Sequence, residues 1–104
     1  MPAFRVVLMT APPDLAETLA RGLVEARLAA CVNVVPGVMS VYRYKGKLEK
    51  DPETLLVCKT RAPLFKKLEA WVKKHHRYEV PEIIALPIEE GHKPYLDWLA
   101  KETK

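Results

Sequence analysis

CVNVVPGVMSVYRYKGKLEKDPETLLVCKT, residues 31–60, is the stretch on which the fold turns. CVNVV and VMSVYRY are runs of β-branched and aromatic residues that suit a pleated, half-buried surface, and Pro36-Gly37 parts them. A proline without an N–H beside a permissive glycine predicts a bulge or kink inside one long strand rather than its end. Residues 45–53, KGKLEKDPE, read as polar turn material, and TLLVCKT (54–60) reads as the returning strand. The expected result is a long hairpin.

Toward the N-terminus, FRVVLMT (4–10) is a short apolar run that reads as a strand buried on both faces. Pro12 and Pro13 break it. Asp14 stands three residues before Glu17, as in a capping box. Leu15, Ala16, Leu19, Ala20, Leu23, Val24 and Leu28 then recur at three- and four-residue spacing, which predicts an amphipathic helix ending near Ala30. Beyond the hairpin, Pro63 suits a first helical position, and Leu64, Phe65, Leu68, Trp71, Val72 and His75 share one face of a second helix that must stop before Pro81. EIIALPI (82–88) reads as a last strand, and Pro94 opens a short segment with Tyr95, Trp98 and Leu99 on one side. The order β-α-β-β-α-β-α predicts an α+β, ferredoxin-like sandwich: βαββαβ plus a C-terminal helix, with helices on one face of a four-stranded sheet. No linker, low-complexity tract or repeat interrupts residues 1–104, so one domain is expected.

Composition narrows the class. With 49% hydrophobic and 29% charged residues over 104 positions, the chain has the balance of an ordinary globular protein with a single core. No apolar run approaches the roughly 20 residues of a membrane helix, and MPAFRVVLMTAPPD lacks the pattern of a secretory signal, so a cytoplasmic location is expected. Cys31 and Cys58 sit among apolar residues and read as free thiols, consistent with a reducing compartment. Gln is absent, Asn33 and Ser40 are the only residues of their kinds, and nine prolines stiffen the loops, which together suggest a thermostable protein.

The hairpin raises the matter of partners. Val38, Val41, Tyr42 and Tyr44 on an outer strand would present apolar side chains and unpaired backbone groups to water. A symmetric oligomer that pairs strands of neighbouring subunits would cover them; alternatively Lys45, Lys47 and Lys50 protect the edge of a monomer.

KKHHRYEVPEIIALP (73–87) holds the candidate metal ligands, His75 and His76. Neighbouring helical residues point about 100° apart, so both imidazoles can grip one ion only if the helix unwinds there. At a helix C-terminus a histidine cation also interacts favourably with the negative end of the dipole, which is the plain alternative. A metal would need a third donor from elsewhere: Cys31, Cys58, Met9, His92, Glu79 or Glu82, none of which forms a recognised ligand spacing with the pair. Both cysteines lie in expected strands among Val and Leu, a poor setting for a nucleophile. Glu49, Asp51 and Glu53 fit a solvated loop. GxSxG, GxGxxG and GxxxxGK[ST] are all missing, so no enzyme is expected. The net charge of +4 and the lysines at 66, 67, 73 and 74 invite a nucleic-acid reading, but the expected central strands carry only Phe4 as an aromatic platform, so no nucleic-acid partner is expected.

VVLMTAPP in the first strand, RLAACVNVVPGVMSVYRYKGKLEKDPE through the hairpin and HHRYEVPEIIALPIEEGHKPYLDWL at the end agree in order and spacing with one family. Over nearly its whole length the chain resembles the CutA divalent-cation tolerance proteins. The resemblance implies the ferredoxin-like fold, a homotrimer built through the hairpin strands, a bacterial cytoplasmic setting, and a link to tolerance of copper and other divalent metals. It also implies a copper site made from a first-strand cysteine and two adjacent histidines, positions that carry Met9, His75 and His76 here. Met9 departs from that pattern: a thioether is a soft neutral donor that suits Cu(I) but lacks a thiolate's charge. A similar trimer in the PII-type signalling proteins implies a second possibility, a sensor or interaction module that binds a small ligand or partner protein at clefts between subunits, near Tyr42, Arg43, Tyr44, Lys45 and Trp98.

Overall fold

A computed structural model describes residues 3–104. Strand β1 (Phe4–Ala11) leads to helix α1 (Pro13–Glu25); β2 (Cys31–Tyr44) and β3 (Lys47–Arg61) form the hairpin; α2 (Phe65–His75), β4 (Ile84–Pro87) and α3 (Lys93–Glu102) follow. The strands lie in the order β2-β3-β1-β4, with every neighbouring pair antiparallel. This is the expected α+β, ferredoxin-like arrangement.

The core forms where α1 and α2 cover the sheet. Val7, Met9 and Ala11 from β1 and Leu56 and Cys58 from β3 meet Leu19 and Leu23 of α1 and Leu68 and Val72 of α2. Full burial of each such leucine removes it from water at a gain of about 2 kcal/mol. The alternate residues of β1, Val6, Leu8 and Thr10, are only half-buried, which corrects the expectation of a strand sealed on both faces: the helices seal one face alone. A buried hydroxyl is accounted for as well, since Thr60 donates to the Leu28 carbonyl at 2.6 Å.

Several boundaries differ from the sequence reading; β4, for one, is confined to Ile84–Pro87 instead of 82–88. Helix α1 ends at Glu25 rather than near Ala30. Arg27 takes a left-handed φ of 61°, its N–H bonds the Val24 carbonyl at 3.0 Å, and the Leu28 N–H bonds the Leu23 carbonyl at 3.0 Å. These two bonds make a Schellman cap with arginine where glycine is usual. No capping box starts the helix either: Pro12 is the N-cap without a side-chain bond, Glu17 pairs with Arg21, and Asp14 receives both ends of the Arg77 guanidinium at 3.1 Å. Residues 47–53 are strand rather than turn. The reversal needs only Lys45 and Gly46, with φ of 51° and 80°, a two-residue connection of the type that matches the strands' right-handed twist.

The arm is therefore long. Fourteen residues of β2 at about 3.3 Å each would span about 45 Å, and the molecule's long axis is 44 Å. Between Val35 and Val38 the register slips: Val35 faces Leu55 and Val38 faces Glu53, so Pro36 and Gly37 together oppose Thr54 alone. That is the bulge expected at Pro36-Gly37. At the other end of the hairpin, α3 is tied to the body through Arg61, which donates to the Thr103 hydroxyl at 2.9 Å, and through Arg27, which donates to the Lys101 carbonyl at 2.9 Å.

Candidate functional site

The two histidines close α2, and the chain turns between them. His75 is the last helical residue, whereas His76 has extended backbone (φ −78°, ψ 148°) and sends its N–H back to the Val72 carbonyl at 2.7 Å. Their side chains part accordingly. His75 is exposed and stacks on the indole of Trp71, one turn earlier, with ring centroids 4.0 Å apart. Its Nδ1 lies 2.7 Å from the Trp71 carbonyl oxygen. A carbonyl only accepts, so Nδ1 carries the proton and Nε2 keeps a lone pair with no partner among the described residues.

His76 is buried and has both nitrogens engaged. Nδ1 accepts the Tyr78 N–H at 3.1 Å, so in the neutral ring the proton is on Nε2, which donates to the Thr10 carbonyl at 2.9 Å. The imidazole thereby pins the end of β1 to the loop after α2. Met9, next to Thr10 in the chain, points into the core and is fully buried. Of the three sequence candidates, then, one nitrogen of His75 is available to an ion, His76 would have to leave Thr10 and Tyr78, and Met9 is sealed behind the helices. The set does not form a ready three-donor centre in this conformation, and among the described residues no three His, Cys, Asp or Glu side chains converge to hold a metal ion. His92, Cys31 and Cys58 are likewise in no such group; Cys58 lies in the core, where burial pushes its thiol up to about 12.

Two positions to which sequence reasoning gave no part in the site shape it. Trp71 is the platform for His75; its i,i+4 spacing is a usable signal. Gly22 of α1 makes room for that indole, because a Cβ there would lie 2.5 Å from the ring. That contact between helices is not visible from local spacing.

The loop pinned by His76 also forms one wall of a cleft of about 570 Å³, opposite the base of the arm. Tyr42, Tyr44 and Glu53 line it from the arm, and Tyr78, Glu79 and Glu82 from the loop. The Tyr78 hydroxyl donates to Glu53 at 2.7 Å, and the Tyr42 hydroxyl donates to Asp51. The bond to Asp51, aided by desolvation and by the negative charges of Asp51, Glu49 and Glu53, holds the Tyr42 phenol up to about 12. Burial first, and then the bond to Glu53, push Tyr78 well above the usual phenol range. No helix among the described residues is long and apolar enough to cross a membrane.

Residues 5–102 match the family described as CutA1 divalent ion tolerance protein. The "Divalent-cation tolerance protein CutA" of Thermus thermophilus is 54% identical over 99 residues, which cover 94% of this chain and 96% of that one. Among solved structures, the divalent cation tolerance protein (Cut A1) from Thermus thermophilus superposes with a TM-score of 0.94 at 53% identity, covering 97% of this chain and 99% of that chain. CutA1 from Oryza sativa superposes with a TM-score of 0.93 at 44% identity, covering 99% and 96%. With agreement of this extent in sequence and in backbone, the chain belongs to the CutA1 divalent ion tolerance protein family.

Proposed function

We propose that the protein is a non-enzymatic homotrimer of the cytoplasm that binds a divalent metal, copper foremost, and so takes part in tolerance of metal ions. The observation that carries this reading is the His75 imidazole: exposed, held by the Trp71 carbonyl and indole, with Nε2 free to coordinate. An imidazole oriented through its other nitrogen is the usual form of a protein metal ligand. His76 and Met9 complete the proposed ligand set only after the loop beyond α2 releases Thr10, so their part depends on that opening. The trimer is supported by the arm, whose apolar side chains lack cover within one chain. A thioether in place of a thiolate favours Cu(I) over Cu(II).

Copper titration of the wild type, His75→Ala and His76→Ala tests the site. His75→Ala is expected to lose most of the affinity, and His76→Ala to lose stability as well as affinity. Equal affinity of His75→Ala and wild type would sink the metal reading.

One observation favours a second reading, that of a sensor or interaction module. The cleft between Glu53 and the loop at Tyr78–Glu82 has the volume of a small-molecule site, for which roughly 300–1,000 Å³ is typical.

A further inference from the structure

Met9 and His76 are held by different parts of the fold. Val7, Met9 and Ala11 alternate along β1 on the face that the helices cover, and all three are fully buried. The cluster around Met9 is built by the strands, α1 and α2, with Leu19, Leu23, Leu56, Leu68 and Val72 among its large side chains; of the segment after α2, only Ile83 packs against it. His76 belongs to that segment. Its ring is fixed by the Thr10 carbonyl at 2.9 Å and the Tyr78 N–H at 3.1 Å, two bonds that movement of the loop alone can break. Release of the loop therefore frees an imidazole and no sulfur. For the Met9 thioether to reach an ion, α1 or α2 would have to lift from the sheet, which is loss of the close-packed core itself. Turning Met9 to the other face of the sheet is no cheaper: it pairs with Leu56 in the β1–β3 ladder, and a one-residue slip of β1 would carry Val7 and Ala11 out of the core with it.

We infer that Met9 takes no part in metal binding in this chain and that the site is built from nitrogen alone: His75 Nε2 while the loop is closed, joined by His76 when it opens. This rests on the metal reading at His75 and narrows it. With the thioether goes the preference for Cu(I), because soft sulfur donors select that ion, whereas imidazole suits borderline divalent ions such as Cu(II), Ni(II) and Zn(II). The placement of His75 agrees with a divalent ion. It ends α2, where the helix dipole presents its negative end, and its Nδ1–H is committed to the Trp71 carbonyl at 2.7 Å, which makes Nε2 the stronger donor. Lys73 and Lys74 share that last turn and work against a cation, so the affinity is modest.

Titration calorimetry of the full chain in a Cys31→Ser background, which removes the one thiol outside the core, tests this with Cu(II), Zn(II) and, under anaerobic conditions, Cu(I). Met9→Leu keeps the volume of the core and is expected to bind each ion within about twofold of its parent, whereas His75→Ala should lose roughly tenfold or more for Cu(II). The methyl carbon resonance of Met9 gives the same test without a substitution in the core: it should stay in place as Zn(II) or Cu(I) is added, while the His75 ring nitrogens shift. A loss of roughly tenfold or more in a Met9→Leu variant that unfolds at its parent's temperature would overturn the inference, as would a Met9 methyl that moves in step with His75. The metal reading itself fails by a different result, Cu(II) binding to His75→Ala as tightly as to its parent, and the inference falls with it.

Discussion

Where α1 and α2 cover the sheet, Val7, Met9, Leu56 and Cys58 are fully buried, whereas farther along the same sheet Val41 and Leu48 expose 61% and 73% of their surface. One sheet therefore has two regimes. In the body, side chains from sheet and helices interdigitate and the chain satisfies itself. Beyond the bulge at Pro36-Gly37, β2 and β3 continue as a two-stranded ribbon that β1 no longer pairs and whose side chains are mostly exposed. An isolated two-stranded ribbon is marginal in water, and one carrying Met39, Val41, Tyr42, Tyr44 and Leu48 exposed is more costly still. The lysines at the tip, with Lys45 5.3 Å over the Tyr44 ring, protect the turn but leave the apolar side chains bare. Body and arm should thus respond to substitution in opposite ways: stability belongs to the first and association to the second.

Breaking the body gives the largest effect. Leu56→Ala removes a fully buried side chain from the middle of β3, and urea denaturation should report a loss of about 2–5 kcal/mol. Next comes the contact between the helices. Gly22→Ala gains about 1 kcal/mol of helix propensity but drives a methyl into the Trp71 ring, so a net loss of about 1–2 kcal/mol is expected. The His75 ring resonances should shift with it, because the indole is its platform. A gain in stability with unmoved His75 signals would show that Trp71 yields freely.

At the junction of body and arm, Tyr78→Phe deletes the hydrogen bond to Glu53 and should cost about 1 kcal/mol. The same junction predicts alkaline behaviour. Folding raises the Tyr42 and Tyr78 phenols above their ordinary value of about 10. The stabilisation this reflects is whole below that pH and is lost as pH rises through the folded-state values. Tyrosinate absorbance should accordingly lag behind that of free tyrosine, and an unshifted titration would contradict the Tyr42–Asp51 and Tyr78–Glu53 bonds. The smallest effect on the chain's own stability, within about 0.5 kcal/mol, is expected of Val41→Lys on the arm, since that side chain is largely bare in one chain.

The same division governs what can be read from the sequence. Periodicity locates the body well: apolar spacing in α1 and α2 and alternation in TLLVCKT reflect burial on one side, and the strand order follows. It fails where burial does not impose a period. KLEKDPE reads as a turn because a ribbon open to water on both faces needs no apolar alternation, although Lys45-Gly46 alone makes the reversal. The end of α1 is overrun for a related reason: Leu28, Ala29 and Ala30 are buried without being helical, and an arginine stands at the left-handed cap in place of the glycine that would mark a stop. At the site, the histidine pair is legible as residues. Their division of labour is not, because it depends on the Thr10 carbonyl, 66 positions from His76, and on an indole seated over Gly22.

Sedimentation velocity of the wild type beside Val41→Lys/Leu48→Lys, in dilute neutral buffer, tests most directly the claim that sister chains cover the arm. The mass of three chains is expected for the wild type and a smaller, still folded species for the variant. A wild type that sediments as a single folded chain would contradict it.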